Sequence, residues 1–235
     1  MSAKLFLLPT TLGSDSIADV IPEYVLELTR SLEHFVVEDV RTARRYLSKL
    51  GMPHPIENLN FFELNEHSTF QEIQGLISPL LNGISVGLMS EAGVPAVADP
   101  GAQLVLLAHQ KGVRVVPLVG PSSMVLALMG SGMNGQNFAF VGYLPIKPND
   151  RVKRIKQLEQ RSREEKQSQF FIETPYRNNK LLESLASTLH PDTLVHISTD
   201  LTMPTELVIT KRAKELKSKM PDLHKRPSIF GIQSY

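Results

Sequence analysis

The chain has 235 residues, with 25 Lys plus Arg against 24 Asp plus Glu, a formal net charge of +1 at pH 7 and 42% hydrophobic residues. That length suits one large domain or two small ones with a sizeable core, and the balanced charge means that any nucleic-acid or membrane partner must be held by a local patch. The absence of cysteine excludes disulfides, thiolate zinc sites and cysteine nucleophiles.

Short apolar runs alternate with helix-period segments almost throughout, the pattern of βαβ units around largely parallel sheets. Leu5–Leu8 predicts a buried strand; Pro9 and Thr10 end it, so the run is too short for a signal peptide. Ile21-Pro22 opens a helix with proline in its tolerated first turn. His34–Glu38 predicts a second strand, and Arg41–Leu50 an amphipathic helix closed by Gly51 as a left-handed cap. A strand over Leu59–Phe62, a helix over Ser68–Leu81 and a strand over Ile84–Met89 follow. Asp99 and Pro100 start the next helix as N-cap and first residue; Gly112 ends it, and Val113–Pro117 is a strand.

A seam near Leu118–Ser122 divides the chain into an N-terminal α/β domain, residues 1–118, and a C-terminal one, 119–235. The second half predicts a helix at Ser123–Met129, a strand at Phe138–Val141 and a basic helix at Arg151–Arg163. A strand at Gln169–Ile172, a helix begun by Thr174-Pro175 and a strand at Leu194–Ser198 come next. An extended stretch at Glu206–Thr210, a short helix at Ala213–Lys219 and a strand at Ser228–Ile232 complete it. No apolar stretch approaches the about 18 residues of a membrane span, so the expectation is a cytoplasmic protein.

Neither a GxGxxG after the first strand nor a GxxxxGK[ST] occurs, the seven histidines lack metal-ligand spacing, and the one GxSxG match, Gly83-Ile84-Ser85-Val86-Gly87, falls within an expected strand and not on the strand-to-helix turn of a nucleophile elbow. Dehydrogenase, kinase and hydrolase readings therefore have no anchor. The informative stretch is Ser90–Gly101, Ser-Glu-Ala-Gly-Val-Pro-Ala-Val-Ala-Asp-Pro-Gly, which follows a strand and lies where open α/β sheets bind ligands. Its small residues Ala92, Gly93, Ala96 and Ala98 admit a ligand close to the backbone, and Pro95 and Pro100 stiffen it. Gly120-Pro121-Ser122-Ser123 also follows a strand and opens a helix whose free N–H groups suit a carboxylate, although the serines could simply cap that helix.

In this order the segments resemble the tetrapyrrole methylase superfamily of S-adenosylmethionine-dependent methyltransferases, and within it the members that methylate a cytidine 2′-hydroxyl of small-subunit ribosomal RNA. The likeness runs from Leu8-Pro9-Thr10-Thr11-Leu12-Gly13 through Glu38-Asp39-Val40-Arg41-Thr42, Asn65-Glu66 and Ser90–Gly101 to Gly120-Pro121-Ser122-Ser123. It continues with Ser131-Gly132, Gly142-Tyr143-Leu144-Pro145, Glu173-Thr174-Pro175-Tyr176-Arg177 and Asp200-Leu201-Thr202. The family pattern has aspartate where Glu91 stands, threonine at Val94 and Val40, and histidine at Tyr176.

The resemblance implies two α/β domains with mostly parallel or mixed sheets, S-adenosyl-L-methionine in a cleft between them, and a homodimer. It implies cofactor contacts from Pro9, Glu91, Ala92, Gly93, Val94, Pro95, Val97, Ser122, Ser123, Tyr143, Glu173 and Pro175. A ribose hydroxyl is weakly acidic and needs a base, for which Glu38 and Asp39 at a strand end and Glu66 are the candidates. Glu38-Asp39 could equally cap the following helix or pair with Arg41. Arg41, Arg44, Arg45 and Lys49 share one helical face, as do Lys147, Arg151 and Arg154 if that helix extends back; Lys153 and Lys156 add charge nearby. Such faces fit ribosomal RNA phosphates. A methylase of a tetrapyrrole or other small molecule, and an inactive cofactor-binding paralogue, are the competing readings.

Overall fold

The computed structural model describes residues 3–235, and the chain divides between Ser122 and Ser123 into two compact units. In the first, β1 (Lys4–Leu8), β2 (His34–Val37), β3 (Asn60–Glu63), β4 (Val86–Met89) and β5 (Arg114–Pro117) form a wholly parallel sheet. Its strand order is β3-β2-β4-β1-β5. The connecting helices are α1 (Glu23–Arg30), α2 (Val40–Leu50), α3 (Phe70–Leu76), α4 (Ser78–Leu81) and α5 (Gly101–Gln110).

Both faces of this sheet are covered, which is why β2 and β4 are continuous apolar runs. Leu8, Phe35 and Val37 pack with Val25 and Leu26 of α1 and Ala43, Leu47 and Leu50 of α2. Leu5, Val36, Val86 and Leu88 pack with Ile73, Leu76, Leu80, Leu104 and Leu107 of α3, α4 and α5. The chain therefore leaves β2 over one face and β4 over the other, although these strands are neighbours. Their outgoing segments diverge and open a crevice at the carboxyl edge, the ligand position of open α/β sheets.

Several boundaries differ from expectation for local reasons. Pro22 is extended (φ −60°, ψ 143°) and stands just before α1 instead of inside its first turn. The helix expected over Ser68–Leu81 is two helices: Thr69 and Glu72 form a capping box that sets the start of α3, and Pro79 has no N–H to continue its ladder. Gly51 closes α2 at φ 70°, as its sequence position predicts.

The second unit contains α6 (Ser123–Ser131), β6 (Phe138–Tyr143), α7 (Pro148–Glu165), β7 (Ser168–Ile172) and α8 (Asn178–Thr188). It continues with β8 (Leu194–Thr199), β9 (Leu207–Arg212), α9 (Ala213–Leu216) and β10 (Ser228–Gln233). Its sheet, ordered β6-β7-β10-β8-β9, is mixed: β6 and β7 are parallel and the other pairs antiparallel. Ile155 and Leu158 of α7, Leu181 and Leu185 of α8 and Leu216 of α9 pack on Phe171, Val195, Ile197 and Phe230. The helix expected at Thr174-Pro175 begins only at Asn178, because the preceding segment first closes a turn in which Arg177 N–H donates to the Thr174 carbonyl at 2.8 Å. Among the described residues no helix is long and apolar enough to cross a membrane.

The sheet face opposite that core carries a buried polar group. His196 is 0% exposed; its Nδ1 lies 2.8 Å from Thr210 Oγ1 and its Nε2 2.7 Å from Ser198 Oγ. Thr210 donates its proton to the Ser131 carbonyl at 2.8 Å, so His196 Nδ1 is the donor to Thr210 and Nε2 accepts from Ser198. Burial pushes the imidazole pKa down to about 4 from 6.5. The neutral ring favours the folded state above the unfolded pKa, and this stability is lost as pH falls from about 6.5 towards 4. Between pH 7 and pH 5 the loss is about 2 kcal/mol. Denaturant titrations at the two pH values check it: a His196→Gln variant shows a smaller fall than wild type, and an equal fall would contradict the assignment.

Candidate active site

The loop after β4 is held in an unusual backbone conformation. Gly93 is buried at φ 79°, and a Cβ there would stand 3.0 Å from Leu12 Cδ2 and 3.3 Å from the Pro121 carbonyl oxygen. Ala96 and Ala98 also occupy the left-handed region, at φ 64° and 59°. Such backbone costs an L-residue roughly 1–2 kcal/mol, which the surrounding bonds must offset. Thr10 N–H donates to the Gly93 carbonyl at 2.9 Å and ties this loop to the one after β1. At Gly120 a Cβ would fall 2.2 Å from Pro9 Cβ, so the segment after β5 approaches the buried Pro9 as only glycine allows.

Asp99 closes the loop. Its Oδ1 accepts from Ala96 N–H at 2.9 Å and Gly101 N–H at 2.7 Å, while Pro100 takes the N-cap position expected for Asp99 itself. One carboxylate oxygen thereby serves the loop and the first N–H of α5 together. Desolvation raises its pKa and the two backbone bonds oppose that rise. Asp99→Ala is expected to cost about 1–2 kcal/mol in chemical denaturation, with Asp99→Asn recovering part of it; a cost near zero would show that the loop holds itself.

Glu38 lies at the β2–β4 crevice, half-buried, with its Oε2 accepting from Glu91 N–H at 3.3 Å. Desolvation raises its pKa; the Glu91 N–H opposes this, and the charges of Asp99, Glu91 and Glu66 add to the rise. Beside it Thr10, Thr42, Tyr46 and Glu91 help enclose a recess of about 20 Å³, room for about one water-sized group. Burial pushes the Tyr46 hydroxyl up to about 12, so it stays a neutral donor. Asp39 is placed differently from its neighbour. Its Oδ1 accepts from Thr42 N–H at 2.6 Å as the N-cap of α2, and that bond lowers its pKa, so it is committed to the helix and is the weaker base. Glu66 is exposed on the loop after β3, its Oε1 3.6 Å from His67 Nε2.

The carboxyl edge of the first sheet thus gathers Pro9, Glu38, Glu66 and the segment 91–97. Val97 is exposed, and Ser122 and Ser123 stand on either side of the unit boundary. Tyr143, Glu173 and Pro175 belong to the second unit, at the ends of β6 and β7, where Tyr143 pairs in register with Ile172. Glu173 is buried: its Oε1 accepts from Thr174 N–H and from Arg177 Nε and Nη2, at 2.7, 3.0 and 2.6 Å, while Oε2 has no partner.

The basic residues separate. Arg41, Arg44, Arg45 and Lys49 are exposed along α2, with Arg44 5.3 Å from the Phe61 ring centre. On α7 the expected face does not form. The helix starts at Pro148, leaving Lys147 exposed before it. Arg151 is only 7% exposed, and its Nε has no partner. Ile155 and Leu158, one and two turns later, mark this stripe as the inner one. Arg154 is half-buried, while Lys153 and Lys156 face solvent. Thr10, Thr42 and Tyr46 were not singled out from sequence; the signal for the last two is their i, i+4 spacing on α2, immediately after Glu38-Asp39.

No family model matches the chain. It is 32% identical over 204 residues to ribosomal RNA small subunit methyltransferase I of Vibrio cholerae, covering 87% of this chain and 67% of that protein. To the protein of the same name from Escherichia coli O157:H7 it is 30% identical over 205 residues, covering 87% and 68%. Among solved structures, the methyltransferase CobJ superposes with a TM-score of 0.64 at 18% identity, covering 99% of this chain and 95% of that one. Diphthine synthase does so with a TM-score of 0.65 at 17% identity, covering 99% and 90%. These two establish the fold.

Proposed function

The chain belongs to the ribosomal RNA small subunit methyltransferase I family and is an S-adenosylmethionine-dependent methyltransferase, and from that premise we propose that it methylates the 2′-hydroxyl of a cytidine in small-subunit ribosomal RNA. The half-buried Glu38 beside the recess is the observation that carries this reading. Its raised pKa brings a carboxylate closer to the basicity that proton removal from a ribose hydroxyl needs.

The first unit has features that suit the cofactor. Gly93 lets the loop after β4 pack closely against Leu12 and the Pro121 carbonyl, and Glu38, Glu66, Glu91 and Asp99 make a negative surround for a sulfonium. We assign its binding to Pro9, Glu91, Ala92, Gly93, Val94, Pro95, Val97, Ser122 and Ser123, with Tyr143, Glu173 and Pro175 contributing from the second unit. When bound, S-adenosylmethionine supplies an activated methyl electrophile. Glu38 takes the proton that the acceptor oxygen loses, Asp99 keeps the loop in shape, and the small residues let the cofactor approach the backbone. Arg41, Arg44, Arg45, Lys147 and Arg154 hold RNA phosphates, whereas the Arg151 side chain is buried. A homodimer in the cytoplasm is part of the same proposal.

Mass spectrometry of small-subunit ribosomal RNA from cells with and without the gene tests the acceptor. The expected difference is one ribose-methylated cytidine; identical RNA would overturn the assignment.

A further inference from the structure

A second pocket, of about 170 Å³, opens between the loop after β1 and α2. Thr10, Thr42, Tyr46 and Glu91 line both this pocket and the recess beside Glu38, so the two share a wall. The α2 residues of the pocket are Thr42, Arg45, Tyr46 and Lys49, a single stripe at i, i+3, i+4 and i+7. Among the described residues Arg45 is in no ion pair, and Lys49 has only a 3.7 Å contact to Asp15, whose side chain is fully exposed. An exposed contact of that length holds a lysine weakly and leaves it available.

We infer that this pocket is the acceptor-nucleotide subsite, in which Arg45 and Lys49 hold one phosphodiester flanking the acceptor ribose and the hydroxyl-bearing wall seats the sugar. The inference rests on the RNA reading above and adds to it the place of the reacting nucleotide. A cation pair at the outer end and a carboxylate at the inner end match the two ends of such a nucleotide: its anionic phosphate and its proton-donating hydroxyl. The recess next to Glu38 admits about one water-sized group, which suits a hydroxyl and excludes a base. Arg45 and Lys49 are then positioning residues, and Glu38 is the group that meets the reacting oxygen.

Binding of a small-subunit ribosomal RNA fragment, measured as Kd across a salt series without cofactor, tests this. The variant Arg45→Gln/Lys49→Gln is expected to bind about tenfold more weakly at low salt. Its slope of log K against log salt should fall by about 0.7, the loss of one phosphate contact. The control Lys111→Gln/Arg114→Gln, exposed at the opposite edge of the first sheet, should match wild type in both respects. Melting temperature and cofactor affinity should be unchanged in both variants, since neither pair is buried. A pocket variant that shifts slope and affinity no more than the control overturns the subsite. Wild-type protein whose RNA binding is insensitive to salt overturns the RNA reading, and the subsite with it.

Discussion

Glu38→Gln is expected to lower kcat by about 10²–10⁴-fold while leaving cofactor affinity and melting temperature close to wild type. The amide oxygen can still accept from Glu91 N–H, so the contact between the ends of β2 and β4 survives and only proton acceptance is lost. The pH profile of the wild type carries a second signature. Glu38 must be ionised to act, and burial raises its pKa, so the rate should fall on the acid side at a pH above the ordinary carboxylate range. Asp39→Asn should leave that limb in place, because Asp39 caps α2. Single-turnover rates across pH for the three proteins separate these outcomes. A Glu38→Gln enzyme with wild-type kcat would remove Glu38 from the chemistry.

Gly93→Val is expected to abolish measurable binding of S-adenosylmethionine and also to lower stability. The position has φ 79°, and the first atom of any side chain would already lie 3.0 Å from Leu12 Cδ2 and 3.3 Å from the Pro121 carbonyl oxygen. A left-handed conformation alone costs an L-residue roughly 1–2 kcal/mol, and a β-branched residue tolerates it worse. Gly93→Ala keeps the backbone cost with less bulk, so its affinity should fall between wild type and Gly93→Val. Calorimetry well below the melting temperature of each variant separates folding from binding. Variants that are destabilised yet bind the cofactor as wild type does would reduce Gly93 to a turn residue.

Much of this arrangement was legible in the chain itself. The apolar runs locate the strands of the parallel sheet, and Ser90–Gly101 reads as a ligand loop because small and rigid residues follow a buried strand. Other features depend on long-range contacts. The left-handed Ala96 and Ala98 have no sequence signature, since alanine prefers right-handed backbone; Asp99 ties the first of them by reaching back to Ala96 N–H. In the second sheet the short link between β8 and β9 permits an antiparallel pair but no crossover, while the antiparallel place of β10 between β7 and β8 is set by long-range pairing. Arg151 is the position at which the charge pattern and the apolar pattern of α7 disagree. Reading it with Lys147 and Arg154 counts charges, whereas Ile155 and Leu158 on the same stripe show that the stripe faces the core.

The most direct test of the account is methyl transfer by the purified protein. Small-subunit ribosomal RNA lacking the modification and a carboxylated tetrapyrrole precursor would be offered separately with S-adenosylmethionine carrying a labelled methyl group. The products would then be digested and resolved by mass spectrometry. The account predicts label on RNA only, recovered as 2′-O-methylcytidine. Label on the tetrapyrrole alone, or on a nucleobase instead of the ribose, would contradict it.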